Sequence, residues 1–370
     1  MNYSSLQKLL IIVLAGAISI SCSNDSEINQ NMLNDIVSFT PNEIRSFDHI
    51  EGNYFSHLGY ESKVLENGNI VFADRQLSNI FVISPEGELR KLVRQGRGPG
   101  EILDAYSFTV NSEGHLFTYD QDNNKLLEFD DEFEFFESYF PQEYGSSTVS
   151  YAYEVGKGNF VFELHSFEYL NNPDKTKEKV FVQYDDNKEE FGKEWSVADK
   201  PYAILRIAGR VVGAGNVPFA FDQLTYPNAN NNSIFIFNTD SPFIAEIDAN
   251  YDTLNTIPVN LPIEKVNSAE RDSIEQENRK EQWDTMEDMI PETKTQADKM
   301  LYHDGKFWLK SNLRGNYQKW FVVNMDGQIL RAVNLPKESI LMHVSDEHLG
   351  VRMDDVTFAL YENPISEVQN

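Results

Sequence analysis

The chain repeats one short residue pattern at a constant spacing. Residues 68–74 (GNIVFAD) and 79–84 (NIFVIS) recur 46 positions later as 114–120 (GHLFTYD) and 125–130 (KLLEFD). Four further copies of the pattern begin at residues 158, 232, 305 and 347. A repeat unit of this length cannot bury its apolar face alone, so the copies are expected to stack against one another.

Each repeat contains four short apolar segments separated by turn residues. In the first repeat, Asn67 and Gly68 supply the positive φ angles that a tight hairpin needs. Four strands in about 45 residues are typical of one propeller blade. We therefore predict an all-β, six-bladed β-propeller with four-stranded blades over residues 35–362. A β-sandwich of similar strand density is the alternative, but it does not explain the constant spacing.

The sixth repeat lacks its fourth strand. It supplies strands at 340–345, 347–353 and 356–361, and a tail at 363–370 follows. Residues 35–40 have alternating polarity and belong to no repeat. We predict that this N-terminal strand closes the last blade, because an open ring would leave a sheet edge exposed.

Two insertions interrupt the repeats. Residues 167–177 form a turn-rich loop inside the third repeat, and residues 267–297 are charged and helical in character. We expect Ser268 to cap this helical insertion and Pro291 to end it. An apolar stripe is expected to pack on the chain's own domain. It consists of Ile274, Trp283, Met286 and Met289.

The N-terminus has the pattern of an export signal. Lys8 precedes an apolar run at 9–20, and Cys22, the only cysteine of the chain, follows directly. The run is shorter than the roughly 18–20 residues of a membrane-spanning helix. The segment resembles bacterial lipoprotein signals, with Ser21 fitting that pattern and Ser19 departing from it.

That resemblance implies a signal peptide at 1–21, a lipidated Cys22 and a polar tether at 22–34. The mature protein would then be anchored to the bacterial outer membrane, on its periplasmic or surface side, by the lipid alone. A cleaved signal with an incidental cysteine and a single membrane-spanning anchor are the alternatives.

Composition narrows the classes of partner. The formal net charge is −28, which repels phosphate backbones and argues against nucleic-acid binding. Aromatic residues make up 12% of the chain and favour sheets. A single cysteine allows no intrachain disulfide, so the fold depends on its core.

Residues 94–101 (RQGRGPGE) carry the most distinctive local motif. The motif, with the six repeats and the lipoprotein-like signal, resembles a largely uncharacterised family of bacterial six-bladed β-propeller lipoproteins related to NHL-repeat and TolB-like propellers. The resemblance implies the fold and the anchor, and very little chemistry. The glycines do not form a phosphate-binding loop, because neither Lys-Ser nor Lys-Thr follows them and Glu101 stands where a dinucleotide fingerprint needs glycine.

One face of the predicted propeller collects the candidate binding residues. Loops that join successive blades and loops between the second and third strands of a blade emerge on the same face, and binding residues concentrate on such loops. The candidates are Arg75, Gln76, Arg94, Arg97, Glu101, Asp120, Asp122 and Arg314. A purely structural role for the motif, with its arginines paired to neighbouring carboxylates, is the competing interpretation.

Motifs for common catalytic chemistry are missing from the sequence. The seven histidines form no His-Glu-x-x-His pattern, and the chain has no Gly-x-Ser-x-Gly elbow. Residues 120–124 begin like a calcium loop, but Lys125 and Asp131 stand where that loop needs glycine and glutamate, which favours a turn. We predict neither a metal nor a cofactor, although ligands from different blades could converge.

Two functional hypotheses follow. The first is a non-enzymatic binding or scaffold lipoprotein whose partner is an envelope protein, a peptide or a glycan. The second is a propeller enzyme, a lactonase-like hydrolase or a polysaccharide-active lyase, with its site at the central channel. The absence of a catalytic motif favours the first.

Overall fold

Six sheets carry the fold, and each corresponds to one sequence repeat. The computed structural model describes residues 33, 35–50, 53–65, 67–74, 76, 79–84, 89–91, 93–111, 113–139, 148–156, 158–166, 168–172, 175–185 and 190–365. Ile36–Asn370 forms one compact unit, which contains all six blades. Cys22, the signal peptide and nearly all of the predicted tether lie outside the described residues.

The strands follow the predicted order, and we label those of each blade a to d. Blade 1 contains Leu58–Val64, Ile70–Asp74, Asn79–Ile83 and Leu89–Lys91; blade 2 contains Ala105–Val110, Leu116–Asp120, Lys125–Phe129 and Phe135–Tyr139; blade 3 contains Thr148–Glu154, Asn159–His165, Glu178–Asp185 and Glu190–Ala198. Blade 4 contains Gln223–Asn228, Ser233–Asn238, Phe243–Ile247 and Thr253–Pro258; blade 5 contains Lys299–His303, Lys306–Lys310, Tyr317–Asn324 and Ile329–Pro336; blade 6 contains Ile340–Val344, His348–Arg352, Phe358–Glu362 and the N-terminal Glu43–Phe47. Neighbouring strands are antiparallel, and strands a of adjacent blades contact one another around the central channel. The predicted six-bladed β-propeller is confirmed.

Strands b and c have continuous apolar sequences because both faces of a blade are covered. Ile70–Asp74 and Asn79–Ile83 are buried at every position. The core consists of clusters shared between adjacent blades, such as Phe72 of blade 1 stacked on Phe358 of blade 6 at 5.6 Å between ring centroids. Aromatic side chains bury a large apolar area each, and the 12% aromatic content serves these contacts between blades.

The N-terminal segment closes the ring, but with different residues from those predicted. Glu43–Phe47 is the antiparallel outer strand of blade 6, whereas Ser38–Phe39 pairs in parallel with Ile329–Pro336 of blade 5. The prediction that residues 35–40 close blade 6 is therefore wrong. Pro41 explains the division, because proline has no backbone N–H for a ladder and disturbs the residue before it. At the other end, Ile365 is buried in the core, so the propeller extends past the predicted boundary at 362.

The helical insertion forms where the sequence predicts it. A short helix, α1 (Glu168–Asn171), lies in the blade 3 loop, and a 3-10 turn lies at Ala229–Asn231. The insertion itself contains α2 (Ser268–Glu277) and α3 (Lys280–Met286), followed by a 3-10 turn at Glu287–Met289. The expected cap at Ser268 is wrong: Asn267 caps α2, and Glu270 completes a capping box with bonds of 2.9 and 3.0 Å. The third residue after Asn267 is Glu270, an acidic residue that suits a capping box, whereas the third residue after Ser268 is Arg271.

A hairpin that the sequence analysis missed packs against this insertion. Tyr202–Ile207 and Arg210–Asn216 pair in the connection between blades 3 and 4. Ala203 and Val217 form a small core with Met286 and Ile290, and Ile274 and Trp283 pack beside them. The apolar stripe therefore packs on its own domain as predicted, except that Met289 is exposed. No helix among the described residues has the length and apolar content to cross a membrane.

Candidate functional site

The central channel is the principal concave feature of the described propeller, and it has two chambers. We call the face with the blade-to-blade connections and b–c loops the upper face, and the face with the a–b and c–d turns the lower face. The upper chamber has a volume of about 260 Å³ and the lower chamber about 370 Å³. Both are lined by Tyr226 and Pro227 of blade 4, so the chambers adjoin.

The glycine-rich motif folds inward around its own glutamate. The Glu101 carboxylate accepts the backbone N–H of Gly98 at 2.8 Å and occupies the space beside Gly96. A Cβ at Gly96 would lie 2.0 Å from Glu101 Oε2, so a side chain at that position would displace the carboxylate. The buried Lys125 ammonium donates to the carbonyls of Gly98 and Glu101 and holds the loop on blade 2. These contacts give the motif a structural role.

Asp120 also has a structural position. Its side chain is fully buried, and it accepts the backbone N–H groups of Leu103 at 2.9 Å and Asp104 at 3.3 Å. Asp74, the equivalent residue of blade 1, accepts backbone N–H groups of the preceding connection in the same way. The repeated aspartate at the end of strand b therefore ties each of these two blades to the loop that enters it.

Of the other predicted binding residues, those that the structure describes lie on the upper face but do not form one cluster. Arg97 and Asp122 are exposed, and Gln76 accepts a hydrogen bond from Ser56 Oγ at 2.6 Å. Arg314 pairs with Glu264, which precedes the helical insertion, and with Glu270 inside it, far along the sequence from the motif. Arg75 and the side chain of Arg94 lie outside the described residues; the Arg94 backbone pairs with Glu101.

The lower chamber opens among the turns of the lower face. Its lining comes from five blades, and sequence reasoning identified none of it as a site. The polar and aromatic lining residues are Asn67, Asn111, Glu113, Asp131, Tyr226, Asn228, Asn230, Tyr302, His303, Asp304 and His343. Neither lysine nor arginine occurs among the lining residues. A volume of about 370 Å³ is at the lower end of the roughly 300–1,000 Å³ of small-molecule sites.

Electrostatics at the lower rim are governed by carboxylates. Asp304 pairs with Lys306 at 2.9 Å, and this hydrogen bond lowers the pKa of Asp304. Behind the rim, burial raises the pKa of Glu154, although its hydrogen bond from Asn111 opposes the shift. Glu113 and Asp131 are exposed at the rim and keep its potential negative.

The upper chamber borders a buried network of charges. Lys179 Nζ lies 3.1 Å from Glu163 Oε1 and donates to the Gln223 carbonyl at 2.6 Å. The other Glu163 oxygen accepts hydrogen bonds from Tyr153 and Thr225 at 3.0 and 2.7 Å. Gln223 and Thr225 belong to blade 4 and Glu163 to blade 3, so the network joins two blades. Lysine and glutamate are almost never fully buried unless they are paired in this way.

The pKa shifts in this network follow from burial and pairing. Burial alone would lower the pKa of Lys179, but attraction to Glu163 and Asp199 outweighs it and the pKa is raised. Burial raises the pKa of Tyr153 well above its usual range, and the Glu163 charge adds to the shift. The tyrosine therefore stays protonated and can act as a donor to Glu163. Burial also favours the neutral form of His165: it lowers the pKa of the imidazole, which therefore stays uncharged.

The structure explains why these residues escaped sequence analysis. The residues that line the lower chamber come from positions as far apart as Asn67 and His343, two to five from each of five blades, with no local motif. The available signal was the repeat itself, since the residues at the end of strand a occupy the same place in every blade. Within the described part of the chain, no group of three His, Cys, Asp or Glu side chains is arranged to hold a metal ion.

The fold and the channel define this protein as a six-bladed β-propeller. Residues 56–204 match the model of a protein family, DUF5128, that is described as a 6-bladed beta-propeller. The resemblance that the repeats and the motif indicated is thereby confirmed for the propeller. No curated protein is detectably similar in sequence to the chain.

Several solved structures are similar to the chain at low sequence identity. A member of the DUF4221 family from Bacteroides vulgatus is 11% identical, with a TM-score of 0.52, over 87% of this chain and 97% of its own. A proposed exported protein from Bacteroides fragilis is 14% identical, with a TM-score of 0.47, over 89% and 99%. A gluconolactonase from Xanthomonas campestris is 10% identical, with a TM-score of 0.45, over 86% and 88%. The first of these supports the propeller fold.

Proposed function

We propose that this protein is an exported, lipid-anchored binding module that takes its ligand in the central channel. The observation that carries the proposal is the lower chamber, a cavity of about 370 Å³ lined by polar and aromatic side chains from five blades. A rigid scaffold that converges several polar groups on one apolar-walled cavity is the usual form of a small-molecule site. The central channel therefore replaces the upper-face loops as the first candidate for the ligand-binding site.

Binding is favoured over catalysis because the buried charged groups beside the channel are already paired. The Glu163 carboxylate and the Lys179 ammonium are engaged by each other and by Tyr153, Thr225 and Gln223. A general base must instead reach a substrate proton, by direct contact or through one water. The network thus serves to join blades 3 and 4 beside the channel.

A panel of probes tests the channel as the site. Maltotriose, cellotriose, N,N′,N″-triacetylchitotriose, trigalacturonic acid and a set of dipeptides are titrated calorimetrically into the wild type, Tyr226→Ala and Arg97→Ala. Tyr226 lines both chambers, whereas Arg97 is exposed on the upper face. We expect at least one probe to bind, Tyr226→Ala to weaken it tenfold or more, and Arg97→Ala to leave it unchanged. Binding lost only in Arg97→Ala would move the site to the upper face, and no binding by any probe would contradict the proposal.

The anchor is tested separately. Cys22 would carry the lipid, so Cys22→Ala is expected to shift the folded propeller from the membrane fraction to the soluble fraction. Ser23→Ala, at the next position, is the matched control and should stay in the membrane fraction. A Cys22→Ala protein that remains in the membrane would contradict lipid anchoring without affecting the channel.

A further inference from the structure

We infer that the lower chamber recognises a neutral saccharide and discriminates against sugars that carry carboxylates. This inference rests on the proposed function and names its ligand class. It depends on three properties of the chamber: the charge of its rim, the neutral hydrogen-bonding groups of its interior and its apolar side chains.

The rim excludes anions. Glu113 and Asp131 are exposed carboxylates on the rim, and the lining contains neither lysine nor arginine to balance them. An anionic ligand would approach like charges without a counter-charge inside the chamber. The chain as a whole adds to this repulsion, with a net charge of −28.

The interior offers neutral hydrogen-bonding groups rather than charge. Asn67 and Asn230 lie exposed on the a–b side of blades 1 and 4, and each carries an amide that can both donate and accept. Sugar hydroxyls also donate and accept, so side-chain amides complement them. The charge of Asp304 is already engaged by Lys306, and His303 contacts Asp346 at 2.9 Å. The charges of Glu113 and Asp131 thus lie on the rim, and the interior of the described chamber presents mainly neutral groups to a ligand.

The chamber also has an apolar component that matches the C–H face of a sugar ring. Tyr226 and Tyr302 line it together with Leu65, Val110 and Val344. Aromatic side chains combine a large apolar area with a polar tip, and such amphipathic groups suit a ligand with hydroxyls on its edge and C–H groups on its faces. Charge exclusion, amides and tyrosines in one cavity thus favour a saccharide over a peptide or an organic anion.

Paired probes of equal length test the inference. Neutral trisaccharides (maltotriose, cellotriose and N,N′,N″-triacetylchitotriose) are compared with trigalacturonic acid on the full-length protein at low ionic strength. We expect one neutral trisaccharide to bind at least tenfold more tightly than trigalacturonic acid. The double variant Glu113→Gln, Asp131→Asn changes two exposed positions and leaves the core intact. In this variant the difference in affinity between the neutral trisaccharide and trigalacturonic acid should narrow at least threefold. Added salt should narrow the same difference in the wild type.

The possible outcomes separate this inference from the proposed function. Equal or tighter binding of trigalacturonic acid to the wild type would overturn the inference, and so would an unchanged gap in the double variant. Dipeptides that bind in a Tyr226-dependent way while every trisaccharide fails would overturn the saccharide assignment and leave the channel as a binding site. Failure of all probes would overturn both.

Discussion

The carboxylate of Glu101 lies in the space that a side chain at Gly96 would occupy. The motif therefore specifies a compact loop in which a glutamate caps the backbone of its own turn and glycines make room for it. The same loop is held on blade 2 by Lys125. Its most distinctive residues thus stabilise the junction between blades 1 and 2.

Substitution of Gly96 should be costly in a way that depends on Glu101. Gly96→Ala must displace the carboxylate and break its 2.8 Å bond from Gly98, which we expect to lower the free energy of unfolding by about 1–2 kcal/mol. In a Glu101→Ala background the same change should cost much less, as a double-mutant cycle by urea denaturation would show. Gly215→Ala, where a Cβ meets nothing within 4 Å, is the neutral control. Additive effects of Gly96→Ala and Glu101→Ala would contradict this account of the motif.

Asp120→Ala should destabilise the junction further. The change leaves backbone N–H groups of Leu103 and Asp104 without their acceptor, and we expect a loss of about 3 kcal/mol in the free energy of unfolding. Asp122→Ala, two residues away and exposed, should stay within about 0.5 kcal/mol of the wild type. Similar denaturation midpoints for the two variants would show that Asp120 is not a structural tie.

Ring closure should depend on Glu43–Phe47. Deletion of residues 1–36 leaves both N-terminal strands in place, so the thermal midpoint should be close to that of the wild type. Deletion of residues 1–47 removes the outer strand of blade 6 and the buried Phe47, and the midpoint should fall by many degrees. Differential scanning calorimetry of the two truncated proteins makes the comparison, and equal midpoints would refute closure by this strand.

The buried ion pair between blades 3 and 4 should be sensitive to loss of one partner. Lys179→Met leaves Glu163 buried without its cation, which we expect to cost about 3–5 kcal/mol. Adding Glu163→Gln should recover part of that loss, because a neutral amide can still accept from Tyr153 and Thr225. Lys280→Met, in the exposed pair with Asp284, should change stability by less than about 1 kcal/mol. A double variant less stable than Lys179→Met would be inconsistent with this interpretation.

Asp199 should give this region a defined pH dependence. Burial would raise the pKa of Asp199, but Lys179 and Lys177 outweigh burial and lower it below its ordinary 3.8. A carboxyl with a depressed pKa stabilises the fold above its unfolded pKa and loses that contribution as the pH falls through the folded pKa. The difference in the free energy of unfolding between the wild type and Asp199→Asn should thus be constant near neutral pH and shrink below about pH 4. A gap that widens in acid would contradict the sign of the shift.

The sequence predicted the repeating part of the fold because each blade obeys the same local rules. The second strands of the blades lie where the copies at 68, 114, 158, 232, 305 and 347 indicated, and the first five follow a turn with glycine or asparagine. The closing strand was misplaced because residues 35–40 and 43–47 both alternate in polarity, and only pairing with Phe358–Glu362 distinguishes them. The hairpin at 202–216 has no counterpart in other repeats, so periodicity could not reveal it.

The candidate site was beyond the reach of local motifs for a geometric reason. The residues that look chemically distinctive, Glu101 and Asp120, bond to the backbone of their own junction. The residues that line the channel are ordinary asparagines and tyrosines whose proximity depends on ring closure. A search of equivalent positions at the ends of strands a would have found several of them.

Hydrogen–deuterium exchange with the tightest-binding probe tests the central claim most directly. Binding in the channel predicts slower amide exchange at the lower-face turns 226–232 and 302–306, with residues 94–104 of the upper face unchanged. These segments come from blades 4 and 5 and from the motif, so peptides covering them report the two faces separately. Protection confined to 94–104 and 121–124 would place the ligand on the upper face and contradict the channel as the binding site.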